Sequence, residues 1–295
     1  MSLKINYINN QKNFSSNTAI FLTYDSKISD FKGIFDNKIN DKIIALLRKN
    51  KKNKDNKIYS LSLDFNKKII IILLVKNNDA YNSEKIGAKF YDYTRKNDID
   101  EVVILGSNIP SVKNNIYFNS FIHGAELKSY EFNLYKSKKN KKNINFNILT
   151  KKNNNNIVSA KNLKALLKGV NFTKDLVSEP GNVLHPDEYA KRILSLKKIG
   201  LKITVYNEKK LKKMGCNALL GVGQGSIRGS YLVTMEWNGK RSKSKPLAFV
   251  GKGVCFDTGG ISLKPAKFME DMTYDMAGSA VVVGLMKNFA LRKAK

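Results

Sequence analysis

Four residues near the carboxyl end of the sequence combine types that packing does not require. They lie in residues 250–276, VGKGVCFDTGGISLKPAKFMEDMTYDM, and are Lys252, Asp257, Lys264 and Asp275. Two carboxylates can hold a divalent metal, because oxygen ligands suit Mg, Mn and Zn. A lysine can join them only as a neutral amine, since the metal needs its lone pair. A second lysine, left protonated, can stabilise an oxyanion. The set is typical of metal-assisted hydrolysis; the alternative is a surface turn with capping aspartates.

The element expected to position these residues is a buried strand. Residues Leu247–Phe256 form a short apolar run between Pro246 and the pair Gly259-Gly260. Such a run is typical of a sheet strand that is buried on both faces. Open α/β sheets bind ligands beyond the carboxyl ends of their strands. The sequence therefore predicts that the four polar residues cluster beyond the end of this strand.

Other catalytic interpretations are weaker. Residues 256–260, FDTGG, are like the Asp-Thr-Gly of aspartic proteases, but those enzymes need two aspartates sharing a proton, and one copy is present. Residues 251–253, GKG, lack the spacing of a phosphate-binding loop. Residues 221–225, GVGQG, favour a tight turn over a dinucleotide loop. His123 and His185 are far apart in the sequence, and no Ser-His-Asp or Cys-His arrangement is apparent.

Residues 250–276 resemble the signature of the leucyl (cytosol) aminopeptidase family. The family pattern is close to VGKG-x-x-FDSGG-x-x-x-K-P followed by D-x-x-x-DM, and Thr258 stands here in place of its serine. The resemblance implies that Lys252, Asp257 and Asp275 are metal ligands. Asp257 would bridge two metals.

The same resemblance implies a role for two further residues. Lys264 matches the catalytic lysine, which polarises the scissile carbonyl and stabilises the gem-diolate. Met272 matches a family residue that lines the pocket for the N-terminal side chain of the substrate.

The likeness extends upstream and stops short downstream. Residues 174–190, KDLVSEPGNVLHPDEYA, resemble RDLVNxPxNxLTPxxFA, and residues 211–226, LKKMGCNALLGVGQGS, resemble LxxLGMGALLAVGQGS. Residues 124–136 match a weaker pattern at the end of the family's N-terminal domain. In the family, an NTDAEGRL motif supplies two more carboxylate ligands and an arginine, and this sequence does not contain it. We therefore expect a C-terminally truncated catalytic domain.

The resemblance implies a cytoplasmic leucyl aminopeptidase that removes N-terminal residues from peptides. It implies two divalent metal ions, Mn or Zn, in the complete family enzyme, and a homo-oligomer, a hexamer in the family. We expect the truncated chain to be inactive. The alternative hypothesis is a basic, catalytically dead remnant of the family that binds DNA or serves as an accessory factor.

Composition and charge limit the other function classes. A chain of 295 residues has enough length for about two domains, each with its own core. The beginning, MSLKINYINNQKNF, is too polar for a signal peptide, and the apolar run Ile69–Val75 is too short to span a membrane. Two cysteines give no disulfide framework, which fits a reducing cytosol. The net charge of +29 is compatible with non-specific DNA binding, but a general enrichment in lysine explains it better, because aromatic residues do not interleave with the basic runs.

The pattern of elements predicts an α/β fold. Residues 1–140 are expected to form an N-terminal non-catalytic α/β domain, residues 141–175 a linker and connecting helix, and residues 176–295 an incomplete catalytic domain with a mixed sheet covered by helices. Strands are expected at Leu3–Ile8, Thr18–Tyr24, Ile58–Asp64, Lys68–Val75, Glu101–Leu105, Ile144–Leu149, Leu201–Tyr206, Ala218–Gly221, Ser230–Trp237 and Leu247–Phe256, with hairpin turns at Asn66-Lys67 and Asn238-Gly239. Helices are expected at Lys38–Arg48, Ser83–Arg95, Val158–Val177, Pro186–Lys198, Glu208–Met214 and Met276–Leu291.

Overall fold

The protein divides into two compact units, residues 1–163 and 164–295, and each is described by itself. The structure, a computed structural model, describes residues 3–8, 17–52, 55, 57–64, 67–75, 79–106, 115–138, 143–149, 155–240 and 245–295. The boundary between the units falls inside a long helix, α4, which spans Asn155–Ser178. The predicted connecting helix at Val158–Val177 is therefore confirmed.

The first unit is built on a six-stranded sheet with the order β1-β6-β5-β2-β4-β3. All neighbouring strands are parallel except β3 and β4, which pair antiparallel. The strands are β1 (Leu3–Ile8), β2 (Asn17–Thr23), β3 (Lys57–Ser62), β4 (Lys68–Leu74), β5 (Glu101–Leu105) and β6 (Ile144–Leu149). The six predicted strands of this region are confirmed to within two residues at each end. Asn66, in the predicted turn, lies outside the described residues.

The sheet of the first unit is covered on both faces. Strand β4, KIIIILL, is buried along six of its seven residues, which a parallel strand between two apolar layers requires. One core contains Phe21 and Ile70, and the other contains Ile20 and Ile71, so successive residues point to opposite layers. The α/β class predicted from the sequence is confirmed.

The described part of the first unit contains the helices α1 (Asn37–Lys49), α2 (Ala80–Lys96) and α3 (Asn115–Lys128), and the beginning of α4. Asp36 and Asp79 cap α1 and α2, since their carboxylates accept the backbone N–H of Ile39 at 2.8 Å and of Asn82 at 2.6 Å. Helix α3 was not predicted. Its sequence, NIYFNSFIHGAELK, contains both polar and apolar residues but separates them weakly into two faces, so the amphipathic signal of a helix is weak.

Helices α2 and α3 approach each other backbone to backbone through two glycines. A Cβ at Gly87 would lie 1.9 Å from the carbonyl oxygen of Phe121, and one at Gly124 would lie 1.9 Å from that of Glu84. Next to Gly124, the His123 side chain is 2% exposed, and its Nδ1 has no hydrogen-bond partner. Its Nε2 lies 3.9 Å from Oε2 of Glu84. Burial lowers the pKa of His123 to about 4.

The His123→Phe variant should lose part of the acid sensitivity of the fold. The pKa of His123 falls from 6.5 to about 4 on folding, so the unfolded chain binds more protons between these pH values. The neutral histidine therefore stabilises the fold fully above pH 6.5, and this contribution is lost as the pH falls towards 4. We expect the variant to lose less unfolding free energy than the wild type between pH 7 and pH 4.5, by on the order of 1 kcal/mol. Urea unfolding followed by circular dichroism at both pH values measures the difference; equal losses would contradict the prediction.

The second unit combines short helices with a two-stranded sheet. Its elements after α4 are α5 (Pro186–Leu194), β7 (Lys202–Tyr206), α6 (Glu208–Lys213), α7 (Asn217–Gly223), β8 (Leu232–Glu236), α8 (Ala266–Met269) and α9 (Ala277–Arg292). Strands β7 and β8 pair antiparallel. The core includes Leu176, Tyr189, Ile203, Met276 and Val283. Gly200, with φ of 93°, ends the turns that follow α5, as predicted. No helix among the described residues is both long and apolar enough to cross a membrane.

Three sequence predictions for the second unit are wrong. Ala218–Gly221 lies in helix α7, because alanine and leucine are good helix formers and a short apolar run does not distinguish helix from strand. Leu247–Phe256 forms no strand, and Leu247 and Val250 are 88% and 95% exposed. Consequently no hairpin forms through Asn238-Gly239, and β8 pairs with β7 instead. The apolar composition of residues 247–256 indicates that burial would be favourable, but a strand also needs a hydrogen-bonded neighbouring strand. Among the described residues, no strand pairs with this segment. Among the described residues of the second unit, the sheet consists of β7 and β8.

Candidate metal and catalytic site

The structure brings the four chemistry-bearing residues of the second unit together, although the strand expected to position them is absent. Lys252 lies in the irregular segment of residues 247–256. Asp257 and Lys264 lie at the two ends of a glycine-containing turn, and Asp275 lies two residues before α9 begins at Ala277. Two ion pairs result, Lys252 with Asp275 and Lys264 with Asp257.

The turn between Asp257 and Lys264 depends on its glycines. Gly259 has a φ of 86°, and a Cβ there would lie 2.3 Å from the carbonyl oxygen of Ser262. The backbone N–H of Gly259 donates to Oδ1 of Asp257 at 2.8 Å, and that of Lys264 donates to the carbonyl of Thr258 at 2.9 Å. The turn therefore places the Lys264 Nζ 3.1 Å from Oδ2 of Asp257.

Charge interactions link the two ion pairs. The Gly259 N–H and the Lys264 ammonium hold the pKa of Asp257 below its usual value, and Lys252 adds to this effect. The hydrogen bond with Asp275, at 2.7 Å, raises the pKa of Lys252, and the charge of Asp257 acts in the same direction. In this arrangement Lys252 is a cation, so it must lose its proton before it can ligate a metal.

Asp275 provides the observation that bears most directly on a metal. Its side chain is 18% exposed, and its Oδ2 is buried without a hydrogen-bond partner. A buried carboxylate oxygen without a donor is costly unless a cation or water satisfies it. Across the described ranges, no three His, Cys, Asp or Glu side chains come together. Two carboxylates and an amine are chemically suited to one divalent ion, and their charge falls short of what two ions need.

Met272 and Phe256 flank the site. Met272 lies half-buried in the 3-10 turn Glu270–Tyr274, and its carbonyl accepts the backbone N–H of Asp275 at 3.2 Å. Phe256 packs against the turn that follows α4, because a Cβ at Gly181 would lie 2.9 Å from the Phe256 Cβ. Residues 174–190 thus support the segment that carries Asp257.

Sequence reasoning missed a hydrogen-bonded pair beside the site. The hydroxyl groups of Tyr189, on α5, and Ser279, on α9, lie 3.0 Å apart. The backbone N–H of Ser279 donates to the carbonyl of Lys252 at 2.8 Å. The only indication of this pair in the sequence is a tyrosine on the apolar face of α5, and a tyrosine there is equally typical of a core residue without a functional role.

Known proteins match the chain most clearly in the second unit. Residues 171–295 match the sequence profile described as "Cytosol aminopeptidase family, catalytic domain". A "Probable cytosol aminopeptidase" of Phytoplasma australiense is 45% identical over 205 residues, which cover 69% of this chain and 42% of that protein. A protein of the same name from Ehrlichia ruminantium (strain Gardel) is 42% identical over 235 residues, which cover 77% of this chain and 46% of that protein. The chain spans less than half the length of these curated relatives.

Solved structures show the same fold at low sequence identity. A mutant of tomato leucine aminopeptidase matches with a TM-score of 0.72 and 18% identity, over 98% of this chain and 59% of that one. The bottromycin maturation enzyme BotP in complex with Mn matches with a TM-score of 0.68 and 20% identity, over 94% of this chain and 56% of that one. These structures show the fold, and the sequence profile together with the curated relatives shows that residues 171–295 belong to the catalytic domain of the cytosol aminopeptidase family.

Proposed function

We propose that the protein is a metal-dependent aminopeptidase that removes N-terminal residues from peptides. The observation that carries this proposal is the convergence of Lys252, Asp257, Lys264 and Asp275 in two ion pairs within the region that matches the family. A surface turn with capping aspartates explains neither the buried Oδ2 of Asp275 nor the two lysines held against the carboxylates. The alternative of a DNA-binding remnant is supported only by the net charge.

Each of the proposed site residues has a distinct task. Asp257 and Asp275 would hold the metal through their carboxylates, and Lys252 would be a third ligand as a neutral amine. The bound metal supplies Lewis acidity and an activated water. Lys264, which donates to Asp257 in this structure, is the ammonium that stabilises negative charge on the substrate carbonyl oxygen. Met272, half-buried one turn before Asp275, contributes to the pocket for the N-terminal side chain.

The cofactor, assembly and location follow from the family. We propose Mn or Zn as the metal, in keeping with the donor set and with the Mn complex of BotP. Two ions would require carboxylates beyond Asp257 and Asp275. The proposed assembly is a homo-oligomer, a hexamer as in the family, acting on peptides in the cytoplasm.

A chimera tests the proposal directly. Residues 1–295 are joined to the segment that follows the matched region in the Phytoplasma australiense relative, and leucyl-p-nitroanilide hydrolysis is assayed with added Mn or Zn. We expect metal-dependent turnover that a chelator abolishes. Asp257→Asn should remove both metal binding and turnover, whereas Asp271→Asn, at an exposed position nearby, should change neither. A folded, metal-loaded chimera without turnover would refute the proposal.

A polypeptide of residues 1–295 alone should bind at most one divalent ion and should not hydrolyse peptides at an enzymatic rate. Two ions carry four positive charges, whereas Asp257 and Asp275 offer two negative charges and Lys252 gives a neutral amine. Titration with Mn followed by metal analysis of the purified polypeptide measures the stoichiometry. Two tightly bound ions with robust turnover would mean that other residues complete the site.

A further inference from the structure

The segment that carries Lys252 lies so close to the first turn of α9 that Gly251 has no room for a side chain. A Cβ at Gly251 would lie 2.5 Å from the Cα of Ser279 and 2.6 Å from the carbonyl oxygen of Gly278. The Ser279 N–H donates to the Lys252 carbonyl at 2.8 Å. Asp275 lies two residues before α9 begins, so the first turn of α9 is close in the chain to Asp275 and is hydrogen-bonded to Lys252. This turn therefore positions both members of the Lys252–Asp275 ion pair.

The Ser279 hydroxyl adds a second tie within that turn. It donates to the carbonyl of Met276 at 2.8 Å, and Met276 follows Asp275 in the chain. A hydroxyl has one proton, so the contact of 3.0 Å with Tyr189 is made by the Tyr189 hydroxyl as donor. Hydrogen bonds therefore run from Tyr189 through Ser279 to the backbone beside Asp275.

The Tyr189 hydroxyl has a fixed role as donor. Tyr189 is 5% exposed, and burial raises its pKa to about 12. Its position on α5 ties the start of α9 to a different helix of the second unit. The family pattern for residues 174–190 has phenylalanine at this place, so the hydroxyl is a departure from that pattern.

We propose that Tyr189 and Ser279 are positioning residues that hold Lys252 and Asp275 in the geometry that receives a metal. The proposal rests on the proposed function for its metal. Neither hydroxyl contacts a reacting group. Each acts through the backbone of the first turn of α9 and of the Lys252 segment.

The test compares single and double variants in the 295-residue chain, with Mn²⁺ alone as the probe. Ser279→Ala removes the hydrogen bonds to Tyr189 and to the Met276 carbonyl that hold the turn beside Asp275, so we expect the affinity for Mn²⁺ to fall about 5- to 10-fold. Hydrogen exchange at the backbone N–H of residue 279 should accelerate by about the same factor, since its bond to the Lys252 carbonyl opens more often. Global stability to urea should change far less than it does for a core cavity.

The double variant Tyr189→Phe/Ser279→Ala supplies the decisive comparison. The double variant removes the hydrogen bonds between α5 and α9 without leaving an unsatisfied hydroxyl, so a positioning role predicts that Mn²⁺ affinity and exchange stay about 5- to 10-fold from their wild-type values. Ser195→Ala is the matched control, because the Ser195 hydroxyl likewise donates to a carbonyl three residues earlier, that of Arg192, at 2.7 Å. This control should change neither measurement.

The outcomes separate the two proposals. If the wild type binds no Mn²⁺ but exchange accelerates in Ser279→Ala and stays accelerated in the double variant, the positioning role stands and the metal site fails. If Mn²⁺ binds and Ser279→Ala leaves affinity and exchange unchanged, the positioning role fails and the metal site stands. Recovery of wild-type affinity and exchange in the double variant would also overturn the proposal, because it would show that the unsatisfied Tyr189 hydroxyl, and not the lost hydrogen bonds, causes the effect of Ser279→Ala.

Discussion

Replacement of Lys264 by alanine should lower the kcat of the chimeric aminopeptidase by roughly 10²–10³-fold and leave KM nearly unchanged. The reason is that a group aimed at developing negative charge acts mainly in the transition state. In this structure Lys264 is held by the glycine turn, with its Nζ 3.1 Å from Asp257, and it is about one third exposed. Alanine removes the ammonium without inserting bulk, so the turn itself should persist.

The measurement is leucyl-p-nitroanilide turnover at saturating substrate, together with metal content. Lys267→Ala is the matched control, since Lys267 lies three residues further on in α8 with its Nζ over the Phe268 ring, 5.6 Å from the ring centroid. We expect this variant to retain wild-type kcat. A fully metal-loaded Lys264→Ala enzyme with unchanged kcat would remove Lys264 from the mechanism.

The first unit could be predicted well because its local and tertiary signals agree. Strand β4 is an unbroken β-branched and leucine run, and burial on both faces of a parallel sheet requires that composition. Helix α3 was not predicted because its polar and apolar residues are only weakly separated into faces. Its close fit to α2 depends on Gly87 and Gly124, each of which lies against the backbone of the other helix. In the sequence alone, a glycine inside a helical pattern only weakens the prediction of a helix and does not indicate that another helix packs against it.

The second unit shows the limits of pattern more clearly. Residues 247–256 have the composition of a buried strand, yet they form no regular secondary structure and pair with no strand among the described residues. The sequence nevertheless placed Lys252, Asp257, Lys264 and Asp275 in one neighbourhood, because short turns keep most of them close along the chain. The contact between Tyr189 and Ser279 joins residues 90 positions apart, and no spacing rule reaches that far. This contact depends on the folded arrangement that brings α5 and α9 together.

Helix α9 carries Ser279 and follows Asp275, so the packing of this helix determines the positions of both residues. It packs on the part of α4 in residues 164–178 through two glycines. A Cβ at Gly284 would lie 2.1 Å from the Thr173 hydroxyl and 2.7 Å from the carbonyl oxygen of Gly169. The Thr173 hydroxyl also lies 3.0 Å from the carbonyl oxygen of Ala280, which it can reach as a donor.

Gly284→Ala should therefore lower the free energy of unfolding by about 2–3 kcal/mol, in the upper part of the range for an overpacked interface. The same substitution at Gly221, in helix α7, should raise it by about 0.5–1 kcal/mol, because a Cβ there meets nothing within 4 Å and alanine reduces the entropy of the unfolded chain. Both glycines are helical, so intrinsic helix propensity favours alanine at each, and only the neighbours of the new methyl group differ. Urea unfolding of the two variants, monitored by circular dichroism, gives the sign of each change. Stabilisation by Gly284→Ala would mean that α4 and α9 do not pack closely, and the support proposed for Asp275 and Ser279 would then be lost with them.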